Sequence, residues 1–303
     1  MPLFQPSTKT FSATITEIAD TVGASADTEM KTRAMRSLNA AVEHFNNKAK
    51  WTFLLGEATP TTVVAPFTIA ITGSSGALSA TASAGHGVKP LDWINGDGFT
   101  AGTRVSATAT TAVGFYTALT TAVTGATIVR DMYDLPSDYK DAYTVRLLGG
   151  NRILRQVGRR FYDRSVDNEW VTGSPEMYDL FMVGSQGKIR ILPPPNGGDV
   201  MQLRYYRRMA IASSVSDAAA LDIPQDYESY LVAWAKWHFL VDKGEGRLEQ
   251  GKTWYSLGEQ GLRIMLQDQN QRTDNDLMLV PGQFMYGNTN PDSTRFVQWD
   301  YTY

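Results

Sequence analysis

The chain has 303 residues, which is enough for about two domains of ordinary size. Because 43% of the residues are hydrophobic and 19% are charged, a sizeable core can form and wholesale disorder is excluded. The formal net charge of -3 excludes the basic excess that is typical of proteins that bind nucleic acid or anionic membranes by charge.

The residue types also limit the chemistry. The chain has no cysteine, which excludes disulfides, thiolate nucleophiles and thiolate zinc sites, and its only imidazoles are His44, His86 and His238. We therefore expect no structural metal and no cofactor. Met1–Ser12 contains no apolar segment, and no later window holds the roughly 18 apolar residues of a membrane span. We expect an unprocessed cytoplasmic chain without membrane contact.

Two amphipathic helices are predicted in residues 1–57. Apolar residues recur at three- and four-residue spacing from Ile15 until Gly23 interrupts them, which predicts a short helix. A longer stripe runs from Ala34 to Phe53. Asp27 lies near the start of this second helix and Lys48 in its later turns, where each charge favours the helix dipole.

Residues 58–129 differ sharply in composition, being rich in Thr, Ala, Gly and Ser. Only four of them carry charge: Lys89, Asp92, Asp97 and Arg104. β-branched runs alternate with turn-forming pairs such as Asn95-Gly96, which predicts a small antiparallel all-β module inserted into the chain. A disordered linker is the alternative. Apolar and aromatic anchors that a linker would lack favour the folded module: Phe67, Ile69, Ile71, Trp93, Phe99, Phe115 and Tyr116.

Residues 130–269 are predicted to combine strands with helices. Tyr178–Val183, Lys188–Leu192 and Val200–Arg207 are short β-rich runs, which we interpret as a meander. The proline- and glycine-rich segment Pro193–Gly198 then forms a loop before the third strand.

Two amphipathic helices joined at Gly244 and Gly246 are expected to follow and to pack as an antiparallel hairpin. Asp222 with Gln225, and Pro224 in the first turn, predict the start of the first helix. Its expected common face is Tyr227, Leu231, Trp234, Ala235, His238 and Val241. The expected core residues of the second are Leu248, Trp254, Leu257, Gly261, Leu262 and Met265. The fold class is therefore α+β, with a helical core, a small β-meander and the inserted module.

The apolar periodicity stops after Gln269, although residues 270–303 keep several large aromatic side chains. These are Phe284, Tyr286, Phe296, Trp299, Tyr301 and Tyr303. Fully extended, this segment would reach about 110 Å, well beyond a globule with a radius of gyration of about 19 Å. We expect an arm that becomes ordered on a partner, the alternative being that it docks on its own domain.

No catalytic motif is evident. The sequence has no phosphate-cradling glycine loop, no GxSxG elbow and no histidine pair at metal-ligand spacing. Asp134, Asp138 and Asp141 could form the carboxylate pair of a glycosidase, but acidic loops commonly offer such pairs. We interpret them as turn and cap residues and expect the chain not to be an enzyme.

Two groups of arginines stand out. The first is Arg152, Arg155, Arg159, Arg160 and Arg164, and the second is Arg204, Arg207 and Arg208. They could form a solvated face, contact DNA phosphates, or pair with carboxylates of another subunit or partner. After the solvated face we favour subunit or partner contact, by Arg152, Arg155, Arg159, Arg160, Arg207 and Arg208.

An ordered series of landmarks resembles the head-to-tail adaptor proteins of tailed bacteriophages, also called tail accessory or head completion proteins. The landmarks are Leu135–Tyr139, Gly173–Tyr178, Ile189–Pro195, Leu203–Arg208, and Ile223–Tyr227 leading into Ala233–Lys236. The opening helices, with Leu38-Asn39 through Trp51, are also similar to that family. Compact members lack the module at residues 58–129.

The resemblance implies a homo-oligomeric ring, with twelve copies expected, between portal and tail in the neck of a virion assembled in the host cytoplasm. DNA would pass through the channel only as cargo. The C-terminal arm would dock on the portal, and tail tube, nozzle or fibre proteins would bind the opposite face.

Two other functions stay open at this point. The Thr/Gly-rich module with Trp93, Phe99 and Tyr116 could bind a host-surface glycan, and Asp134 with Asp138 could serve a cell-wall hydrolase.

Overall fold

The computed structural model describes residues 5–158, 171–242 and 247–278. The chain divides into two compact units, one comprising Met1–Phe53 with Met209–Tyr303, and the other Leu54–Arg208. In the described residues the α-helices lie in the first, the helical unit, and nearly all strands lie in the second, the strand unit. The fold is mixed α+β, as predicted. None of the described helices combines the length and apolar character needed to cross a bilayer.

The described α-helices are α1 (Phe11–Asp20), α2 (Thr28–Lys48), α3 (Glu228–Asp242) and α4 (Leu248–Met278). Side-chain caps start the first two, since the Thr10 hydroxyl accepts the N–H of Ala13 and the Asp27 carboxylate accepts that of Glu29. Helix α2 ends at Lys48, before the predicted Phe53, because the backbone becomes extended at the next residue.

An ion pair accompanies the apolar core of the helical unit. The ammonium of Lys236 on α3 donates to Glu17 on α1 at 2.7 Å, and Lys9 pairs with the same carboxylate. Burial opposes the ionisation of Glu17, but the two ammonium groups outweigh it, so the pKa of this carboxyl lies below its usual value. The fully buried apolar side chains of the helical unit include Phe11, Ile15, Ile18, Leu38, Phe45 and Phe239.

Helices α3 and α4 approach closely because aromatic side chains on α3 face glycines on α4. A Cβ atom added at Gly261 would overlap the ring of Tyr230, and one added at Gly258 would lie 2.6 Å from Cδ1 of Trp234. At Gly251 the same atom would lie at an ordinary 3.5 Å from Trp237. The aromatic rings therefore fill space that any side chain at Gly258 or Gly261 would occupy.

Several details of the predicted C-terminal helices are wrong. The Asp222 carboxylate accepts the N–H of Ala210 at 3.0 Å, and the turn preceding α3 has no side-chain cap. Leu248 and Leu257 are exposed rather than core residues. Gly244 and Gly246 lie outside the described residues. Helix α4 continues to Met278, beyond the predicted end, because residues 270–278 contain neither glycine nor proline and need no apolar stripe to stay helical.

The described strands of the strand unit form three sheets. Its described strands are β1 (Leu55–Glu57), β2 (Thr61–Val63), β3 (Phe67–Gly73), β4 (Ser79–Ala82), β5 (Trp93–Asn95), β6 (Val105–Ala109), β7 (Ala112–Phe115), β8 (Val123–Val129), β9 (Met132–Asp134), β10 (Tyr139–Leu147), β11 (Arg152–Ile153), β12 (Arg155–Gln156), β13 (Met177–Val183), β14 (Gln186–Leu192) and β15 (Asp199–Arg207). Sheet A has the order β1-β15-β10-β11, with β2 also paired to β15. Sheet B has the order β12-β13-β14-β9.

The predicted three-stranded meander is wrong in its last member. Strands β13 and β14 form the expected hairpin, but β15 pairs with β10, β1 and β2 in sheet A. The edge of β14 that β15 would have used is taken by β9, whose Tyr133 lies opposite Ile189. The proline- and glycine-rich loop Pro193–Gly198 separates the two sheets instead of turning within one.

The remaining six strands form an antiparallel barrel in the order β5-β8-β3-β4-β7-β6. Its two end strands meet, because the N–H of Ile94 donates to Thr103 and that of Val105 donates to Asp92, both at 3.0 Å. An isolated bridge between Trp93 and Arg104 joins the two ends at the same place. The interior is filled by apolar side chains that include Ile71, Ile94, Val105, Val113, Phe115 and Ile128.

The structure describes residues 67–129 as folded strands and turns of this barrel. Strand β2, which lies within the predicted module, belongs to sheet A, and the first barrel strand is β3.

We expect Gly261→Ala to destabilise the helical unit by about 1 to 3 kcal/mol, because the new methyl group would overlap Tyr230. Gly251→Ala is the matched control on the same helix. It should stabilise the unit by up to about 1 kcal/mol, since alanine favours a helix and finds room there. Urea unfolding followed by circular dichroism at 222 nm measures both, and a gain in stability for Gly261→Ala would contradict the packing described.

The helical unit should also lose stability in mild acid. Burial lowers the pKa of His44, the charge of Lys48 lowers it further, and the charge of Glu259 acts in the opposite direction. Burial also lowers the pKa of His238. Histidines of the unfolded chain have a pKa of about 6.5, so below this pH the unfolded chain binds more protons than the folded unit. Stability should be full above about pH 6.5 and fall as the pH drops through that value.

Urea midpoints at pH 7 and pH 5 test this expectation. The double variant His44→Gln with His238→Gln should flatten the dependence, whereas His86→Gln, in the strand unit, should leave it unchanged. If the double variant loses as much stability between pH 7 and pH 5 as the parent chain, groups other than these two histidines cause the effect.

Candidate functional site

The predicted contact residues are distributed unevenly over the described chain. Arg152 and Arg155 are exposed on the short strands β11 and β12. Arg207 is half-buried at the end of β15, and Arg208, the next residue, is exposed and donates its N–H to the carbonyl of Asp138 at 2.7 Å. Their contact with a subunit or partner stays a prediction.

Other predicted site residues lie outside the described residues. They are Arg159, Arg160 and Arg164, and the arm aromatics Phe284, Tyr286, Phe296, Trp299, Tyr301 and Tyr303.

The carboxylates considered for hydrolysis have local partners. Asp134 forms an ion pair with Lys188 across β9 and β14. Asp138 accepts the hydroxyl of Tyr205 at 2.9 Å, and burial together with that carboxylate raises the pKa of Tyr205 to about 12. Asp141 lies within β10, opposite Tyr206. Asp138 lies in a turn, as the sequence indicated, whereas Asp134 and Asp141 lie within strands.

Of the three aromatics considered for glycan binding, one is buried and one is partly buried. Trp93 is 6% exposed, and its indole N–H donates to Asp131 at 3.1 Å. Phe99 packs edge-on against Phe115, with ring centroids 5.1 Å apart. Only Tyr116 of the predicted three is largely exposed. The three side chains therefore do not form one exposed aromatic platform.

A densely connected polar site lies where the barrel joins sheet B. Arg104, just before β6, places Nη1 and Nη2 at 3.1 and 2.9 Å from the two carboxylate oxygens of Asp131. The same guanidinium lies 3.4 Å from the ring centroid of Trp93. Asp131 is 0% exposed, so these donors replace the water that its charge has lost.

A second ion pair lies beside the first, and in it the barrel supplies the carboxylate instead of the guanidinium. Arg130 donates to both oxygens of Asp92 in the barrel, at 2.9 and 2.7 Å, and to the carbonyl of Gly87 at 2.7 Å. Burial opposes its charge, but Asp92 outweighs this and raises the pKa of Arg130. Two consecutive residues of opposite charge thus each pair with a barrel residue, and we call this arrangement the crossed clamp: Asp92, Arg104, Arg130 and Asp131.

Asp131 also holds sheet B. The N–H of Ile191 on β14 donates to its carbonyl at 2.9 Å, and Nε of Arg190 lies 3.9 Å from its carboxylate. One residue therefore connects the barrel to the adjoining sheet through both backbone and side chain.

Sequence reasoning missed this site, although a signal existed. The module has only four charged residues, and an adjacent Arg130-Asp131 pair follows it directly, so that each charge has an available opposite. Among the described residues, no group of three histidine or acidic side chains could hold a metal ion. The arrangement can position a domain; it offers no nucleophile with an activating base.

We expect Asp131→Asn to destabilise the barrel by about 3 to 5 kcal/mol, because it leaves buried guanidinium charge uncompensated. Asp97→Asn removes an exposed barrel carboxylate and should change stability by less than about 0.5 kcal/mol. Hydrogen exchange of the barrel amides measures both effects. Equal protection in the two variants would show that the clamp does not stabilise the barrel.

We next compared the chain with known proteins. A family model described as SU10 adaptor protein matches residues 92–280, well over half of the chain, from the clamp residue Asp92 to just beyond α4. The search of curated proteins gives no match. The matched range contains the landmarks from Leu135 to Lys236 that resembled phage adaptors. The chain therefore belongs to the SU10 adaptor protein family of bacteriophage head-to-tail adaptors.

Proposed function

We propose that the chain is a structural connector that closes into a ring, with twelve copies expected, between the portal and the tail in the neck of a virion. DNA passes through the ring during ejection. The observation that carries the proposal is the family match over residues 92–280. The mechanism is mechanical, and it requires no cofactor.

On this proposal, the segment after α4 docks on the portal. Helix α4 has 31 residues and is about 46 Å long, and the 25 residues that follow could reach a further 85 Å or so when extended. Six of those 25 residues are aromatic. Aromatic side chains bring large apolar area to preformed pockets, which suits attachment to a partner.

The charge balance supports a role in which DNA is cargo. A lumen that gripped phosphates would hold DNA through strong, salt-sensitive contacts and would impede its passage. The chain carries a net charge of -3, so it has no such excess. The exposed Arg152 and Arg155 then serve contacts with carboxylates of neighbouring subunits or of tail proteins, which arginine can bind bidentately.

Truncation after Met278 tests the docking step. The shortened chain should keep its circular dichroism spectrum and melting temperature, because α4 is complete, but should no longer co-sediment with portal rings. A full-length variant with serine at the six aromatic positions 284, 286, 296, 299, 301 and 303 separates loss of the aromatics from loss of length. Co-sedimentation of the truncated chain at the level of the intact one would refute docking through this segment.

A further inference from the structure

Helix α4 is held at two neighbouring residues shortly before its end. The Asp268 carboxylate accepts the hydroxyl of Tyr227, which lies in the turn preceding α3. The side-chain amide of Gln269 donates to the carbonyl of Lys50 at 3.0 Å and accepts the N–H of Thr52 at 2.8 Å. Successive residues of a helix point about 100° apart, so these bonds hold α4 from two directions. We call Asp268 and Gln269 the exit bracket.

Both anchors of the exit bracket belong to the buried core of the helical unit. Trp51, which lies between the two backbone groups that Gln269 binds, is 1% exposed and donates its indole N–H to the carbonyl of Phe45 at 2.9 Å. Tyr227 is also buried, and its ring centroid lies 6.5 Å from that of Phe53. Close-packed interiors permit little displacement of such groups. The bracket therefore ties α4 to parts of the unit whose positions are well defined.

The exit bracket lies at the last position where α3 can reach α4. The two helices run antiparallel, so glycines along α4 face aromatic rings that come progressively closer to the start of α3. The three pairs are Gly251 with Trp237, Gly258 with Trp234 and Gly261 with Tyr230. Tyr227, opposite Asp268, comes directly before the first residue of α3, Glu228. Beyond the bracket, residues 270–278 add about 14 Å of helix before the C-terminal segment begins.

We propose that the exit bracket positions the C-terminal segment, by setting the direction in which α4 carries it out of the helical unit. This inference rests on the proposed docking of that segment on the portal. Because α4 continues through residues 270–278, a small rotation at the bracket displaces the start of the segment. A segment that leaves every copy in the same direction has less freedom to lose when it docks. Asp268 and Gln269 are therefore positioning residues, which act through α4 without contacting the portal.

Removing the bracket bonds should weaken docking on the portal. The double variant Tyr227→Phe with Gln269→Ala loses the bonds on both sides but keeps an aromatic ring in the core. Biolayer interferometry of the full-length chain on immobilised portal rings should give a dissociation constant about tenfold higher than that of the parent chain. Gln267→Ala is the matched control, because this glutamine is exposed on the same turn of α4, and it should bind like the parent. If the double variant binds like the parent, the bracket proposal is overturned while docking stands.

A flexible spacer distinguishes positioning from a loss of structure. About ten Gly and Ser residues inserted after Met278 let the C-terminal segment leave α4 in any direction. With the spacer, the double variant and the otherwise unchanged chain should bind portal rings equally. A difference that persists with the spacer would show that the bracket residues act through stability or direct contact, and it would overturn the proposal.

Circular dichroism checks that the variants fold. If the double variant does not fold, Tyr227→Phe alone carries the test, with and without the spacer, because it removes one hydroxyl and keeps the packed ring. Its dissociation constant should rise about threefold without the spacer and stay unchanged with it. If the chain truncated after Met278 binds portal rings as well as the intact chain does, the docking proposal fails and the bracket proposal fails with it.

Discussion

The architecture of the strand unit depends on one buried charge, the carboxylate of Asp131. Removing it from water is costly unless donors replace the lost hydration, and those donors come from the barrel through Arg104 and Trp93. Sheet B is held by the backbone carbonyl of the same residue. A buried ion pair adds little net stability compared with apolar packing, but it tolerates little displacement of its partners. The clamp therefore acts mainly on geometry, by selecting one orientation of the barrel on the sheet.

In the helical unit, the relative position of the packed elements is fixed by shape instead of by charge. Aromatic rings of Tyr230 and Trp234 lie where side chains at Gly261 and Gly258 would otherwise be, so the register between α3 and α4 is fixed by shape. Sliding one helix by a turn would bring rings against side chains that have volume. In both units a few positions determine the arrangement, because only one residue type fits at each of them. At most of the surrounding core positions, any apolar side chain of suitable size would serve.

Sequence patterns predicted the elements whose signal is local, and they failed where the partner is distant. Apolar periodicity located α1, periodicity with the charge of Asp27 located the start of α2, and β-rich runs located β13, β14 and β15. A β-rich run looks the same whichever sheet its strand joins, so it could not show that β15 pairs with β10 instead of the hairpin. Gly261 was recognised as part of the packed face, but its need to be glycine depends on Tyr230, a residue of the preceding helix. The crossed clamp could have been suspected from charge counting, whereas its burial could not.

The family assignment and the geometry together favour an assembly held by many modest contacts. In the ring proposed above, contacts that are weak singly are made simultaneously, so that closure raises the effective concentration of each. Weak individual contacts also let a misplaced copy leave before the ring closes, whereas strong ones would trap it. A rigid orientation of the barrel then matters more than the strength of each contact. A barrel that moved relative to its sheet would have to be ordered whenever a contact formed, and each copy would pay that cost in conformational entropy. In the proposed ring, the buried charge of Asp131 would therefore give every copy the same orientation of the barrel on its sheet.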